Sequence, residues 1–283
     1  MCRFALYLGS KITLQSILID PDNSIVNQSI HSKERSEPLN GDGFGIAWYV
    51  EGHAAPALFK DVTPAWNNQN LRNISRVTET RTLLAHVRAA SPGLAVQPLN
   101  CHPFVSENLS FMHNGVVGDF RGIRRALLAS LDDEAFHSIQ GTTDSEHLFA
   151  IATQHHRECE ASSPIERLAS SLRAAIHTSE DLRARAGARE PSHLNLVLCD
   201  GERAAVTRYC SSPDEEPPSL HVHASGCRYT CEGGTSRMVA AAAEHSAVLI
   251  ASEPLSDDGG WSTVPRDHIV TVDEAHNVVC EAI

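Results

Sequence analysis

The sequence predicts an α+β architecture, helices layered on antiparallel sheets, and three observations predict it. Strand-like runs crowd both ends of the chain, helical periodicity is confined to the middle, and no shift of composition divides residues 1–283 into separate domains. A single domain of this length can bury a sizeable core, and 42% hydrophobic with 20% charged residues describes a soluble globular protein. A formal net charge of -12 without any basic run argues against nucleic-acid binding. No apolar stretch approaches the ~20 residues of a membrane span. Met1-Cys2-Arg3 opens without a charged-then-apolar leader, so the expected location is the cytoplasm, with the eight cysteines as thiols.

Taken in order, Arg3 to Leu8 is an apolar strand directly behind Cys2. Ile12 to Ile19 reads as a short helix or turn closed by Asp20-Pro21-Asp22, and the polar stretch Ser24 to Leu39 as a surface loop. Asn40-Gly41-Asp42-Gly43-Phe44-Gly45 leads into a strand over Ile46 to Val50. Its glycines permit unusual φ and close backbone approach to a ligand, but the spacing is not GxGxxG and a strand follows, which disfavours phosphate cradling. Leu83 to Arg88 is a strand that leaves through the turn Ala89-Ala90-Ser91-Pro92-Gly93. Leu109 to His113 is another, expected to break into a turn at Asn114-Gly115.

Phe120 to Leu131 places Ile123, Leu127, Leu128 and Leu131 at helical spacing. A helix capped at Thr143 or Asp144 precedes Leu148-Phe149-Ala150-Ile151, and a third covers Pro164 to Ile176 behind Ser163. Leu194 to Cys199 and Arg203 to Tyr209 flank Asp200-Gly201-Glu202 as a hairpin. Ser211 to Ser219, rich in proline and acids, is an exposed loop; Leu220 to Ala224, Ala247 to Ser252 and His268 to Val272 are the remaining strands.

Cys2 is the first residue that suggests chemistry. Removal of Met1 leaves it with a thiol and an α-amine, and an α-amine titrating near ~8 can take the thiol proton directly or through a water. Alone, Cys2 reads more readily as a small hydrophobe starting a strand, and the rest of the chain has to overturn that reading. Further along stand Asn40-Gly41-Asp42-Gly43-Phe44-Gly45, His86-Val87-Arg88, His113-Asn114-Gly115, Thr143-Asp144-Ser145-Glu146 and Ala251-Ser252-Glu253-Pro254-Leu255, with Trp261 and Val264-Pro265 behind them. In this order, over nearly the whole chain, the set resembles the class II glutamine amidotransferases, which are N-terminal-nucleophile hydrolases.

The resemblance implies a four-layer sandwich, two antiparallel β-sheets packed together between helical layers, with neither cofactor nor metal. It implies that Cys2 attacks the side-chain amide of glutamine or of a small γ-glutamyl compound, forming a thioester that water hydrolyses. Asn114, through its side chain, and Gly115, through its backbone N–H, would hold the oxyanion. Arg88 would take the substrate α-carboxylate with its bidentate fork and Asp144 the α-ammonium. The backbone around Gly43 would approach the nucleophile, while His86 and His113 are expected to be structural.

In synthase-linked members the arginine strand continues Trp-Ala-Thr-His; here Ala89-Ala90-Ser91-Pro92 stands instead, so strict selectivity for free glutamine is not implied. No acceptor domain is expected, since the C-terminal strands are read as completing the amidotransferase fold itself. Trp48-Tyr49 and the Ser252 to Leu255 segment are most similar to a stand-alone subfamily. It includes an ergothioneine-pathway γ-glutamyl hydrolase and the amidotransferase-like subunit of a fungal glutathione-degrading complex. The implied function is γ-glutamyl amide hydrolysis. The alternatives are a glutaminase subunit feeding a synthase or peptidase partner, and a catalytically silent regulatory subunit. Among other clusters, His221-x-His223 with Cys227 and Cys231 lacks zinc-knuckle spacing. His155-His156 reads as a solvated helix end, and Ser236 and His245 form no serine-triad pattern.

Overall fold

A computed structural model describes residues 2–34, 39–90, 95–224, 227–232, 235–240 and 247–283. The chain begins with β1 (Arg3–Thr13), α1 (Gln15–Leu18), α2 (Ile25–Gln28), β2 (Phe44–Trp48), β3 (Ala57–Asp61), α3 (Gln69–Val77) and β4 (Glu79–Val87). It continues with β5 (Phe104–Ser106), β6 (Leu109–Val116), α4 (Phe120–Ala129), α5 (Asp133–Ser138), α6 (Asp144–Glu158) and α7 (Pro164–Ala186). The last part is β7 (His193–Cys199), β8 (Ala204–Arg208), β9 (His221–His223), β10 (Cys227–Glu232), β11 (Thr235–Ala240), β12 (Val248–Ala251), β13 (Trp261–Thr263), β14 (His268–Val272) and β15 (Val278–Ala282). One antiparallel sheet has the order β13-β9-β12-β1-β4-β2-β3, a second β15-β14-β8-β7-β6-β5, and β10 and β11 form a separate hairpin. No helix among the described residues is long and apolar enough to cross a membrane.

Period-2 alternation sorts the core into layers. Phe4, Leu6 and Leu8 of β1 and Leu84 of β4 meet Met112, Val197, Val206 and Val270 between the two sheets. Their neighbours Ala5, Tyr7, Leu83 and Ala85 face outward onto Ile17, Leu18, Ile25 and Leu71 of the first three helices. On the far side Phe111, Leu194, Leu196 and Leu198 face Ile123, Leu127, Leu148, Leu168 and Leu172. Helix, sheet, sheet and helix therefore stack in four layers.

Helix ends follow local chemistry. Thr143 accepts from the Glu146 N–H and Ser163 from the Glu166 N–H, so both serve as N-caps. The α7 helix runs ten residues beyond the expected Ile176 because Ser179 and Arg183 continue its buried stripe; Gly187, left-handed at φ 67°, closes it. Two expectations need correction. The stretch Ser24 to Leu39 is not all surface loop: Ser24 caps α2, and Ile25, Val26, Gln28 and Ser29 are buried beneath the first sheet. Asn114-Gly115 is not a turn, since β6 continues through both, paired with Asn195 and Leu194. The expected turn at Ser91-Pro92-Gly93, and the side chains of Cys227, Cys231, Ser236 and His245, lie outside the described residues.

Candidate active site

Strand register assembles the site. Val87 of β4 pairs with Arg3 on one side and Phe44 on the other, so one step onward Cys2, Arg88 and Gly43 stand abreast at one end of the first sheet. The Arg88 N–H donates to the Gly43 carbonyl at 2.8 Å, and the Asp42 N–H to the Arg88 carbonyl at 3.0 Å. Cys2 is half-buried, with its Sγ 3.6 Å from the Ala89 carbonyl oxygen. By alternation Cys2 follows Phe4 and Leu6, and Arg88 follows Leu84 and His86, onto the face turned to the second sheet. Asn114 follows Met112 toward the same layer from β6. A hydrogen bond from His86 Nε2 to the His113 carbonyl, 3.2 Å, joins the two sheets there.

Asn114 is fully buried, and among the described residues neither its Nδ2 nor its Oδ1 has a hydrogen-bond partner. A buried amide left in that state is costly unless a ligand or water completes it. Gly115 has φ 152°, and a Cβ there would lie 1.7 Å from the His193 carbonyl oxygen, so only glycine lets β6 approach β7 this closely. Arg88 is 3% exposed. Among the described residues its guanidinium meets only the carbonyls of Asp42 at 3.5 Å and Ala95 at 3.4 Å, and no carboxylate. A buried cation without a counter-ion is a strong attractor for an anion. Asp144, half-buried at the first turn of α6, accepts from the Val117 N–H and from the Ser145 N–H, each at 2.8 Å. That anchors its carboxylate just past Gly115, at a helix end that favours negative charge.

Gly43, at φ 110°, is needed for packing: a Cβ would come within 2.8 Å of both the Asp61 carbonyl oxygen and Cys101 Sγ. Burial drives the His86 imidazole down to about 3, with Arg88 adding to the effect. Burial also lowers His113 against the pull of Asp144, and lowers His102, whose ring lies tilted against His86 with centroids 4.3 Å apart. All three rings are neutral at neutral pH. His113 Nε2 is bonded to the His193 carbonyl and its Nδ1 to Ser145 Oγ, so it braces the strand that carries Asn114.

Sequence reasoning missed three supporting residues. Asp42 Oδ2 accepts from the Ala90 N–H at 2.8 Å, two residues past Arg88. Asn100 Nδ2 donates to the Ala95 carbonyl that Arg88 also uses. Glu253 forms a buried ion pair with Arg3 at 2.7 Å. Asp42 and Glu253 lay inside quoted motifs without an assigned role, while Asn100 carried no local signal. His221 and His223 pair with Glu34 and Asp258, and no metal-capable group of three appears among the described residues. His155 bonds Ser170 of α7 rather than being merely solvated. A cavity of about 940 Å³ opens at the opposite end of the sandwich, near Lys11, Tyr49 and Arg203, away from all the candidate residues.

The family model described as Glutamine amidotransferases class-II matches residues 22–282. The chain is 36% identical over 292 residues to the "Probable glutamine amidotransferase DUG3" of Saccharomyces cerevisiae, covering 96% of this chain and 82% of that protein. It is 25% identical over 274 residues to the "Gamma-glutamyl-hercynylcysteine sulfoxide hydrolase" of Mycobacterium tuberculosis, covering 96% and 93%. Among solved structures, a glutamine aminotransferase class-II domain protein from Silicibacter pomeroyi superposes with a TM-score of 0.69 at 27% identity, covering 100% of this chain and 99% of that one.

Proposed function

The chain belongs to the class II glutamine amidotransferases, amidohydrolases on the N-terminal-nucleophile fold, and from that premise we propose that it hydrolyses γ-glutamyl amide bonds through a thioester on Cys2. The substrate is glutamine or a small γ-glutamyl compound. Once Met1 is removed, the α-amine of Cys2 takes the thiol proton, and the sulfur attacks the γ-carbonyl carbon. The oxyanion receives hydrogen bonds from Asn114 Nδ2 and the Gly115 N–H. Collapse of this intermediate breaks the C–N bond, and the protonated α-amine returns its proton to the leaving nitrogen. Water then attacks the thioester, releasing glutamate and restoring the thiol. Arg88 binds the α-carboxylate, Asp144 the α-ammonium, and the Gly43 carbonyl holds the Arg88 backbone beside them. No step needs a cofactor.

The observation that carries this reading is the fully buried amide of Asn114, unpartnered among the described residues, on the strand face that alternation from Met112 turns toward the layer of Phe4 and Leu6, which Cys2 follows. The thiol must stay reduced to act, which fits a cytoplasmic location. The test is intact mass together with glutamate release from glutamine and a panel of γ-glutamyl amides and peptides. Loss of Met1 with turnover of one compound supports the hydrolase and identifies its acyl donor. Loss of Met1 without turnover favours the second reading, a subunit that works only with a synthase or peptidase partner. Cys2→Ala is expected to abolish glutamate release while substrate still binds; full activity in that variant would sink the mechanism.

A further inference from the structure

Chain ends fray unless something ties them down, and once Met1 is gone Cys2 is a chain end. The tie comes from a segment that follows β12. Glu253 is fully buried, and its carboxylate accepts from Arg3 Nε at 2.7 Å, from Ser32 Oγ, from the Lys33 N–H at 2.9 Å and from the Glu34 N–H at 3.2 Å. The Arg3 guanidinium, 2% exposed, turns its Nη1 onto the Cys2 carbonyl oxygen at 3.1 Å. Beside it the Phe4 N–H donates to Ser252 Oγ and the Ser252 N–H to the Phe4 carbonyl, each at 3.0 Å. One dipeptide thus grips Phe4 through its backbone and Arg3 through its side chain, and Arg3 in turn holds the Cys2 carbonyl. The gripping loop is itself seated, with Asn23 Nδ2 donating to the Pro254 carbonyl at 2.6 Å and Gln28 Nε2 to that of Glu253 at 3.4 Å.

We propose that Glu253 is a positioning residue for Cys2: through Arg3 it fixes the Cys2 carbonyl, and with it the directions of the thiol and the α-amine. The proposal rests on the reading of Cys2 as nucleophile. The amine and the Cβ that carries the thiol are both bonded to Cα, so a backbone displacement at Cys2 moves nucleophile and base together, away from Asn114. Burial pushes the Glu253 carboxyl up, but the Ser32 hydroxyl, the Lys33 N–H and Arg3 outweigh it and hold the group below its ordinary value, so the pair is charged. A buried ion pair adds little stability over apolar side chains of similar size, so stability alone does not account for one placed against the nucleophile. The same carboxylate also holds the backbone of Ser32 to Glu34 next to residues 2–4.

Replacing both partners separates positioning from folding. The double variant Arg3→Met/Glu253→Leu removes the grip on the Cys2 carbonyl without leaving a buried charge. It is expected to fold but to melt below the wild-type temperature, because the Ser32 hydroxyl and the Lys33 and Glu34 N–H groups lose their acceptor. KM is expected to stay within about twofold, because Arg88 and Asp144 hold the substrate from β4 and α6. Its kcat is expected to fall by about 100-fold, the cost of a misplacement near 1 Å, and alkylation of Cys2 by iodoacetamide should slow in parallel. Glu253→Gln, which leaves Arg3 buried without its anion, should show the same split if it folds. A folded double variant with wild-type kcat would overturn the proposal, and so would a double variant unable to fold, since the pair would then serve the fold. Failure of the underlying reading looks different: wild-type protein would release no glutamate, or Cys2→Ala would retain activity.

Discussion

Arg88 is the residue at which charge, burial and shape make the most specific demand. Its guanidinium is buried, and among the described residues its two carbonyl partners each take one N–H, leaving donors and a positive charge for the proposed carboxylate. A carboxylate satisfies that fork through two parallel hydrogen bonds, whereas an ammonium offers a point charge on a different reach. Arg88→Lys is therefore expected to raise KM by about tenfold or more, roughly the worth of one charge-assisted hydrogen bond, with a smaller effect on kcat. Steady-state kinetics on a γ-glutamyl substrate decides it, and an unchanged KM would remove Arg88 from the carboxylate site. Cys2, Arg88, Asn114 and Asp144 could be proposed from the sequence because each role follows from residue type within an ordered motif. Asp42 and Glu253 could not, because their work is done across 48 and 250 residues of chain, where no local pattern reaches, and Asn100 could not because its bond to the Ala95 carbonyl follows no motif spacing.

Among the elements, β6 depends most on a single position. Gly115 lies inside the strand, at a φ that side chains rarely adopt, with the His193 carbonyl of β7 where a Cβ would go. Gly115→Ala must either push β6 away from β7 or distort the backbone that carries Asn114. Overpacking and backbone strain together put the expected loss at about 2–5 kcal/mol, with glutamate release abolished even in the fraction that stays folded. Thermal melts and a product assay on the same sample check this, and wild-type melting with wild-type turnover would contradict it. The Asn-Gly signal was correct about conformational freedom but not about its use: the freedom goes into close strand approach rather than a reversal. Likewise Ser24 to Leu39 reads as polar on average, yet a capping serine and two buried β-branched residues form α2. The β3 strand escaped notice because it is a five-residue edge strand, and α3 because it is polar, with only Leu71 and Ser75 buried.

The molecule as a whole was legible as alternating layers, since period-2 strands flanking amphipathic helices admit few other packings. What the layers enclose was less so. Between and beside the sheets lie His86, His102 and His113, all buried and all lowered from the usual imidazole value, His102 well below it and His86 to about 3. In the unfolded chain each regains a pKa near ~6.5. Above that value neither state binds the proton, and stability does not depend on these rings. As pH falls below it, the unfolded state takes up protons that the folded state refuses, so stability drops, and for His86 the drop continues down to about 3. Each ring contributes a slope of at most about 1.4 kcal/mol per pH unit. Glu253 acts in the same direction lower down: its folded value is depressed below 4.5, so its contribution is complete above 4.5 and is lost as pH falls through the folded value. Stability is therefore expected to be level from pH 8 to about 6.5 and then to decline, before the carboxylates titrate. Urea titrations at half-unit pH intervals measure that slope, and His86→Phe, which removes one titrating ring, should make it shallower between pH 6 and 4. Because His86 also donates to the His113 carbonyl, the variant will be less stable at pH 8; the comparison is of slopes, and equal slopes would remove His86 from the acid response.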